Sequence, residues 1–241
     1  MRIWLGAAMD EQRYIARRAR TVQDGAAFIE SARSKLAALG IIRIEVRDDF
    51  DEYVQFICDP EKHVVWEQFD PSRHPLLHRR AVWFCGYDKE GEVALVMGFR
   101  LDHLGEATLS EQMETLLPLI GGGRPAEMAP KVCQITGNAV YHGGMWVRED
   151  FRSNQAGSWA SRYGKAVALL TWWPDWIYGF IDQWMYTSGF PARMGFASAQ
   201  AHVIAWQEEP RYEPDYLFVA DSQAELCHMV CSGHAPYVRQ R

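Results

Sequence analysis

Residues 145–158 read Met145-Trp-Val-Arg-Glu-Asp-Phe-Arg-Ser-Asn-Gln-Ala-Gly-Ser158. They begin at the end of an apolar run, Ala139–Val147, that predicts a strand. A polar turn follows over Arg148–Gln155. The chain then enters Ala156–Trp172, where Trp159, Tyr163, Ala166, Val167 and Leu170 recur at helical spacing. A strand that passes through a short turn directly into an amphipathic helix makes an anion site. The first N–H groups of the helix lack internal partners, and the helix dipole adds partial positive charge there. A pyrophosphate can take those donors without a basic side chain. Small residues at Ser153, Ala156, Gly157 and Ser158 let it approach the main chain.

Outward from this stretch, Pro174 stops the helix. Trp176–Ile181 predicts a buried strand, Asp182–Ser188 a short helix, and Arg193–Ala199 and Ala201–Gln207 two further strands. Upstream, Gln12–Leu39 predicts a helix with Ile15, Val22, Ile29 and Leu36 at sevens. Gly25 is a weak point where the run divides, in the alternative, into two shorter helices. Gly40 closes it. Ile41–Val46 predicts a strand, Asp51–Cys58 a short helix, and 59–80 an irregular connection. Ala81–Tyr87 and Glu92–Leu101 form a strand pair around Asp88-Lys-Glu-Gly91. Leu109–Leu117 predicts a helix and Val132–Thr136 a strand. Helices alternate with strands, yet hairpins also occur. The fold class expected is α/β in the α+β sense: a mixed, mostly antiparallel sheet flanked by helices.

The 241 residues fit a single domain, with 48% hydrophobic and 23% charged residues. Seven of the ten Trp residues fall in the second half, which predicts a wide core or groove there. The net charge of −6 and the lack of a long basic run argue against a nucleic-acid partner. Arg13, Arg17, Arg18 and Arg20 stand beside Asp10, Glu11 and Asp24, which reads as a solvated helix face. No apolar run reaches the ~18 residues of a membrane span. Met1–Ala8 is too short for a targeting core, and five Cys residues, an odd number, suit free thiols in a cytoplasmic setting.

The stretch at 145–158 resembles the GNAT (general N-acetyltransferase) superfamily. The family motif has an Arg or Gln, two residues, a Gly, one residue, and a Gly or Ala at the helix start; here the chain gives Arg152-Ser-Asn-Gln155-Ala-Gly157. Gln155 stands where the family has its first Gly. Trp176–Ile181 is similar to the family's next strand, which splays from the motif strand to admit pantetheine. Met185-Tyr-Thr-Ser-Gly-Phe190 resembles the helix end that follows, with Tyr186 three residues before Gly189 where the family's Tyr stands four before. The resemblance covers about 81–207, an acyl-CoA N-acyltransferase-like core. Residues 1–80 are then a divergent N-terminal portion and 208–241 a C-terminal extension.

The resemblance implies acetyl-CoA or another acyl-CoA as co-substrate, with its pyrophosphate on Arg152, Ser153, Asn154, Gln155, Ala156, Gly157 and Ser158. Main-chain groups of Met145 and Val147 would meet the pantetheine and the thioester carbonyl. His142 is the candidate general base, its ordinary pKa being near neutrality; an edge-strand or turn role is the alternative. Tyr186 is the candidate acid for the leaving thiolate, or an ordinary rim Tyr. The expected acceptor is a primary amine on a small molecule, or in second place a protein amine, lying over a Trp-rich surface. Two rivals keep the fold: an acyl-carrier-protein-dependent enzyme similar to homoserine-lactone synthases, and a non-catalytic binding module.

Other patterns carry less. Cys227-His-Met-Val-Cys231 with His234 has no second ligand pair nearby for zinc and reads as a helix with buried Cys. His74 and His78 flank Pro75 in a loop. Gly121-Gly-Gly-Arg124 lacks the Lys-Ser/Thr of a phosphate loop, and no Gly-x-Ser-x-Gly elbow occurs. Trp172-Trp-Pro-Asp-Trp176 reads as corner packing or, alternatively, as a groove floor.

Overall fold

The hairpin at 81–105 is set by local chemistry. Asp88 Oδ1 accepts hydrogen bonds from the N–H groups of Glu90 (3.0 Å) and Glu92 (2.9 Å), and Gly91 takes a left-handed φ of +84°. This turn pairs β2 (Ala81–Tyr87) with β3 (Val93–Gly105). The computed structural model describes residues 2–57, 69–72, 80–119, 124–152, 154–182, 184–208 and 216–233. Ser153, Cys58, His74, His78, His234, Gly121–Gly123 and most of the expected 59–80 connection lie outside these residues.

Before the hairpin come α1 (Arg2–Ala38), β1 (Arg43–Arg47) and α2 (Phe50–Ile57). After it follow α3 (Leu109–Leu119), β4 (Arg124–Met128), α4 (Pro130–Cys133), β5 (Gly137–Val147), a 3-10 turn at Glu149–Phe151, and α5 (Ala156–Trp172). The chain continues through β6 (Trp176–Asp182), α6 (Trp184–Thr187), α7 (Phe190–Arg193), β7 (Ser198–Gln200), β8 (Ile204–Glu208), β9 (Tyr216–Ser222) and α8 (Gln223–Ser232). The main sheet has the order β1-β2-β3-β5-β6-β9-β7, and β4 pairs with β8 apart from it. All neighbours in the main sheet are antiparallel except β5 and β6. The fold class is the expected one, a mixed, mostly antiparallel sheet with helices on its faces.

Alternation divides the core in two. Leu95, Met97, Phe99 and Leu101 of β3 face α1, α5 and α8, while Val96 and Leu104 face the aromatic layer of Phe50, Tyr53, Phe69, Trp83, Tyr141, Tyr178 and Phe218. Helix α1 is continuous. Gly25 marks the place where it crosses α5, since a Cβ there would stand 2.9 Å from Leu170 Cδ2. The stripe at sevens does not all face inward: Ile15 and Val22 are exposed, and the buried row is Thr21, Gly25, Phe28, Ala32 and Leu36. A strict heptad drifts around a straight helix.

Three expectations are corrected. Val132–Thr136 is not a strand: Pro130 opens the one-turn helix α4, and buried Val132 and Ile135 are three apart, a helical spacing. Arg193–Ala199 is not one strand: Pro191 seeds α7, Gly195 turns at φ +81°, and only Ser198–Gln200 pairs. The segment 208–241 is more than an extension, because β9 lies inside the sheet between β6 and β7. The corner Trp172–Trp176 packs as expected: Trp172 and Trp173 lie on one core and Trp176 on the other, around Pro174. No helix among the described residues is long and apolar enough to cross a membrane.

Strands β5 and β6 pair for three residues only, Ala139–Trp176, Val140–Ile177 and Tyr141–Tyr178, and then part. At the branch, a Cβ on Gly179 would stand 2.5 Å from the His142 carbonyl oxygen. Gly179→Ala is therefore expected to cost about 1–3 kcal/mol through overpacking against backbone. Denaturant titration reads this as a lower midpoint at unchanged slope. An unchanged midpoint means that the two strands separate freely.

Candidate functional site

The site is the fork between β5 and β6 together with the start of α5. Strand β5 runs on to Val147 and β6 to Asp182, with their facing edges outside the ladder. Beyond Val147 the turn is pinned from several sides. Arg148 bridges Asp88 (Nη2–Oδ2 2.6 Å) and Asp150 (Nε–Oδ1 2.8 Å). Those contacts hold the carboxyls of Asp88 and Asp150 below their ordinary pKa. Phe151 is buried in the core. Arg152 Nε donates to the Val147 carbonyl (2.8 Å), tying the turn back to its strand. Asn154 Nδ2 donates to the Leu39 carbonyl (3.3 Å), and its Oδ1 accepts from the Ala156 N–H (3.1 Å).

Gln155 is the N-cap of α5 and adopts the left-handed conformation, φ 71° and ψ 8°, with its side chain exposed. The position where the resemblance expects glycine thus keeps a glycine-like backbone. No acidic side chain occupies the first turn, and the Gln155 side chain makes no cap, although Asn154 takes the first N–H, that of Ala156. Gly157 faces inward: a Cβ there would meet Val147 Cγ2 at 3.3 Å, Met145 Sδ at 3.5 Å and Phe190 Cζ at 3.9 Å. The structure so brings together Met145, Val147, Arg152, Asn154, Gln155, Ala156, Gly157 and Ser158.

Behind the helix start lies a polar row that the sequence reading missed. Ser158, Ser161, Arg162 and Lys165 follow one side of α5, yet all are buried. Lys165 Nζ pairs with Asp221 Oδ2 of β9 at 2.8 Å, and Asp221 Oδ1 accepts from the Ala197 N–H (2.7 Å). Burial pushes the lysine pKa down and the aspartate pKa up, and their mutual attraction opposes both shifts. Arg162 lies over the Trp159 ring (4.9 Å). The spacing 158, 161, 162, 165 was visible in the sequence. Its meaning was not, because α1 and α8 cover the side of α5 that a solvated row would need.

His142 is buried on β5 at the branch of the fork. Its ring stacks on Phe99 at 4.2 Å. Nδ1 lies 3.4 Å from the Gly98 carbonyl and Nε2 3.0 Å from Ser161 Oγ. A carbonyl only accepts, so Nδ1 carries the hydrogen and Nε2 accepts from the serine. Burial first, then Lys165, lowers its pKa to about 3. Tyr186 stands on the short helix α6, 55% exposed. On α8, Cys227 is buried and Cys231 exposed. Among the described residues no group of three His, Cys, Asp or Glu side chains is arranged to hold a metal.

No protein-family model and no curated protein sequence matches the chain. Among solved structures it is similar to NAA60 of Arabidopsis thaliana in complex with acetyl-CoA, with a TM-score of 0.45 and 11% identity over 75% of this chain and 98% of that one. It is similar to a spermidine N-acetyltransferase from Vibrio cholerae in complex with CoA and spermine (TM-score 0.44, 8% identity, 76% of this chain and 97% of that one). A third is FeeM, an N-acyl amino acid synthase from uncultured soil microbes (TM-score 0.41, 13% identity, 76% and 93%).

Two measurements check the electrostatics of this layer. The folded-state pKa of His142 lies below its unfolded value of 6.5. Its contribution is therefore fully present above 6.5 and lost as pH falls toward 3, where the unfolded chain takes the proton and the folded chain does not. Stability should drop by roughly 1 kcal/mol per pH unit through that window, with His142→Gln flattening the slope in denaturant titrations; an equal slope in the variant refutes it. Asp221→Asn leaves a buried ammonium unpaired and should cost about 3–5 kcal/mol. Lys165→Met with Asp221→Leu should recover most of that loss in a double-mutant cycle.

Proposed function

We propose that the chain is an acyltransferase that moves an acetyl or other acyl group from CoA to a primary amine. One observation carries this reading: the β5/β6 fork opens beside a helix start that has free donors and no acidic side chain. Backbone edges that leave a ladder must find other partners. A pantetheine arm offers amide groups spaced to act as a third strand between them. The pyrophosphate then takes the first N–H groups of α5 at Gly157 and Ser158. Arg152 and Asn154 hold the turn rather than the ligand, since both side chains are engaged by the main chain.

The chemistry asks for a polarised thioester carbonyl, a neutral amine and a proton for the leaving thiolate. An N–H of β5 near Met145 serves the first. His142 enters as a neutral ring, held on both nitrogens, that fixes Ser161 below the fork; direct base catalysis asks more of a ring with a pKa near 3. Tyr186, exposed on the element that follows the fork, is the group offered for the thiolate. The acceptor is a small-molecule amine, reaching the carbonyl from the aromatic face of the sheet.

A thermal melt with excess acetyl-CoA tests the reading. At ~100 times the dissociation constant, ligand adds about 2.7 kcal/mol, roughly 5–10 °C for a chain of this size. Gly157→Ala, whose methyl would crowd Val147 and Met145, should reduce that gain. A gain only with acyl carrier protein would change the donor. No gain with any thioester would leave a binding module, a reading favoured by Phe190 already lying against the helix start.

A further inference from the structure

Beneath the fork one cation, Arg162, has no ion-pair partner among the described residues. The layer between α5 and the sheet holds two cations in contact with the same turn, because a Cβ on Gly195 would stand 3.4 Å from both Arg162 Nε and Lys165 Nζ. Among the described residues Asp221 is the anion in contact with them, and both its carboxyl oxygens are in use; Glu225 at the start of α8 adds a second negative charge that acts on Lys165 and Asp221 and not on Arg162. His142 is neutral there. Arg162 is 7% exposed and forms no ion pair among the described residues; its Nε has no hydrogen-bond partner. One turn earlier on the same row, Ser158 is 4% exposed and its Oγ also lacks a partner. A guanidinium stays charged at any physiological pH, and burial without a partner is costly for it. Desolvation alone acts on its pKa, downward, with no acid to raise it.

We propose that Ser158 and Arg162 form a pocket for one carboxylate carried by the substrate. The hydroxyl and the guanidinium lie four residues apart on one helix, ~6 Å along its axis, which suits a small planar group between them. The single positive charge of Arg162 matches a carboxylate better than a phosphate, which brings close to two. The indole of Trp159 lies against the guanidinium, 4.9 Å from its centre. The pocket lies deeper along α5 than the phosphate-binding turn at Gly157. The inference rests on the acyl-transfer reading only in naming the carrier, which is a dicarboxylic acyl group on the donor or an amino acid as acceptor.

Calorimetric titration of the full chain separates the two carriers. The donor arm compares succinyl-CoA with butyryl-CoA, and the acceptor arm compares free amino acids with their carboxamides. In one arm the carboxylate should bind at least tenfold more tightly, with Arg162→Gln erasing the difference and Ser158→Ala reducing it several-fold. Arg162→Gln should leave the affinity for CoA itself within twofold. Equal binding in both arms overturns the proposal, as does a loss for CoA equal to that for the carboxylates, which would assign the guanidinium to the phosphates. If no CoA compound binds, the acyl-transfer reading fails and the amino-acid arm alone decides. A second readout needs no ligand: Arg162→Met should raise the thermal midpoint of the free protein by a few degrees, because it removes an unpaired buried charge. A fall shows that the guanidinium is already satisfied and overturns the inference.

Discussion

The bond between Lys165 and Asp221 is the constraint around which this molecule is built. Helix α5 is covered by the sheet on one side and by α1 and α8 on the other, so a charge in its middle has no route to water. An ammonium at that position needs a carboxylate in contact, and β9 provides it at 2.8 Å. The same carboxylate receives the Ala197 N–H, so one side chain ties helix, strand and the turn before β7. Such a pair adds little net stability compared with an apolar core, because desolvation offsets the attraction. What it does add is position. Slipping α5 along its axis by one residue would pull the ammonium from its partner, so the helix start is fixed relative to the sheet.

That fixed start matters because of where the sheet opens. A parallel pairing of three residues is short, and the chain spends no further backbone bonds on it. Gly179 explains the shape of the branch: without a side chain it comes against the His142 carbonyl, and from there the strands part. The parted strands lie outside their mutual ladder, and the start of α5 follows directly from one of them.

Much of this was legible in the residues. The boundaries of α5 follow from a helical stripe closed by Pro174, and the Asp88 hairpin follows from turn chemistry. The fork itself is not legible, since parallel pairing is non-local and nothing in Trp176–Asp182 announces when it ends. The polar row on α5 is not legible either, for a related reason. A row of Ser, Arg and Lys at helical spacing ordinarily faces water, and only the packing of α1 and α8 against that helix reverses its meaning. Strand β9, Tyr216–Ser222, lies after the segment that carries the resemblance, and its local signal is the apolar run Leu217-Phe-Val-Ala220.

Gln155 shows how a departure from a motif is judged physically. Its position demands a left-handed backbone, which glycine adopts freely and other residues at a cost of about 1–2 kcal/mol. Glutamine bears that cost, and its side chain points into solvent. The demand for a small side chain is a separate matter and falls two residues later, at Gly157, where Met145, Val147 and Phe190 crowd the helix start. A motif with two glycines therefore encodes two constraints, one of conformation and one of space. This chain meets the first with a strained glutamine and the second with glycine. Strain at Gln155 reduces stability but does not fill the turn, so the approach of an anion to the first N–H groups of α5 depends on Gly157 rather than on Gln155.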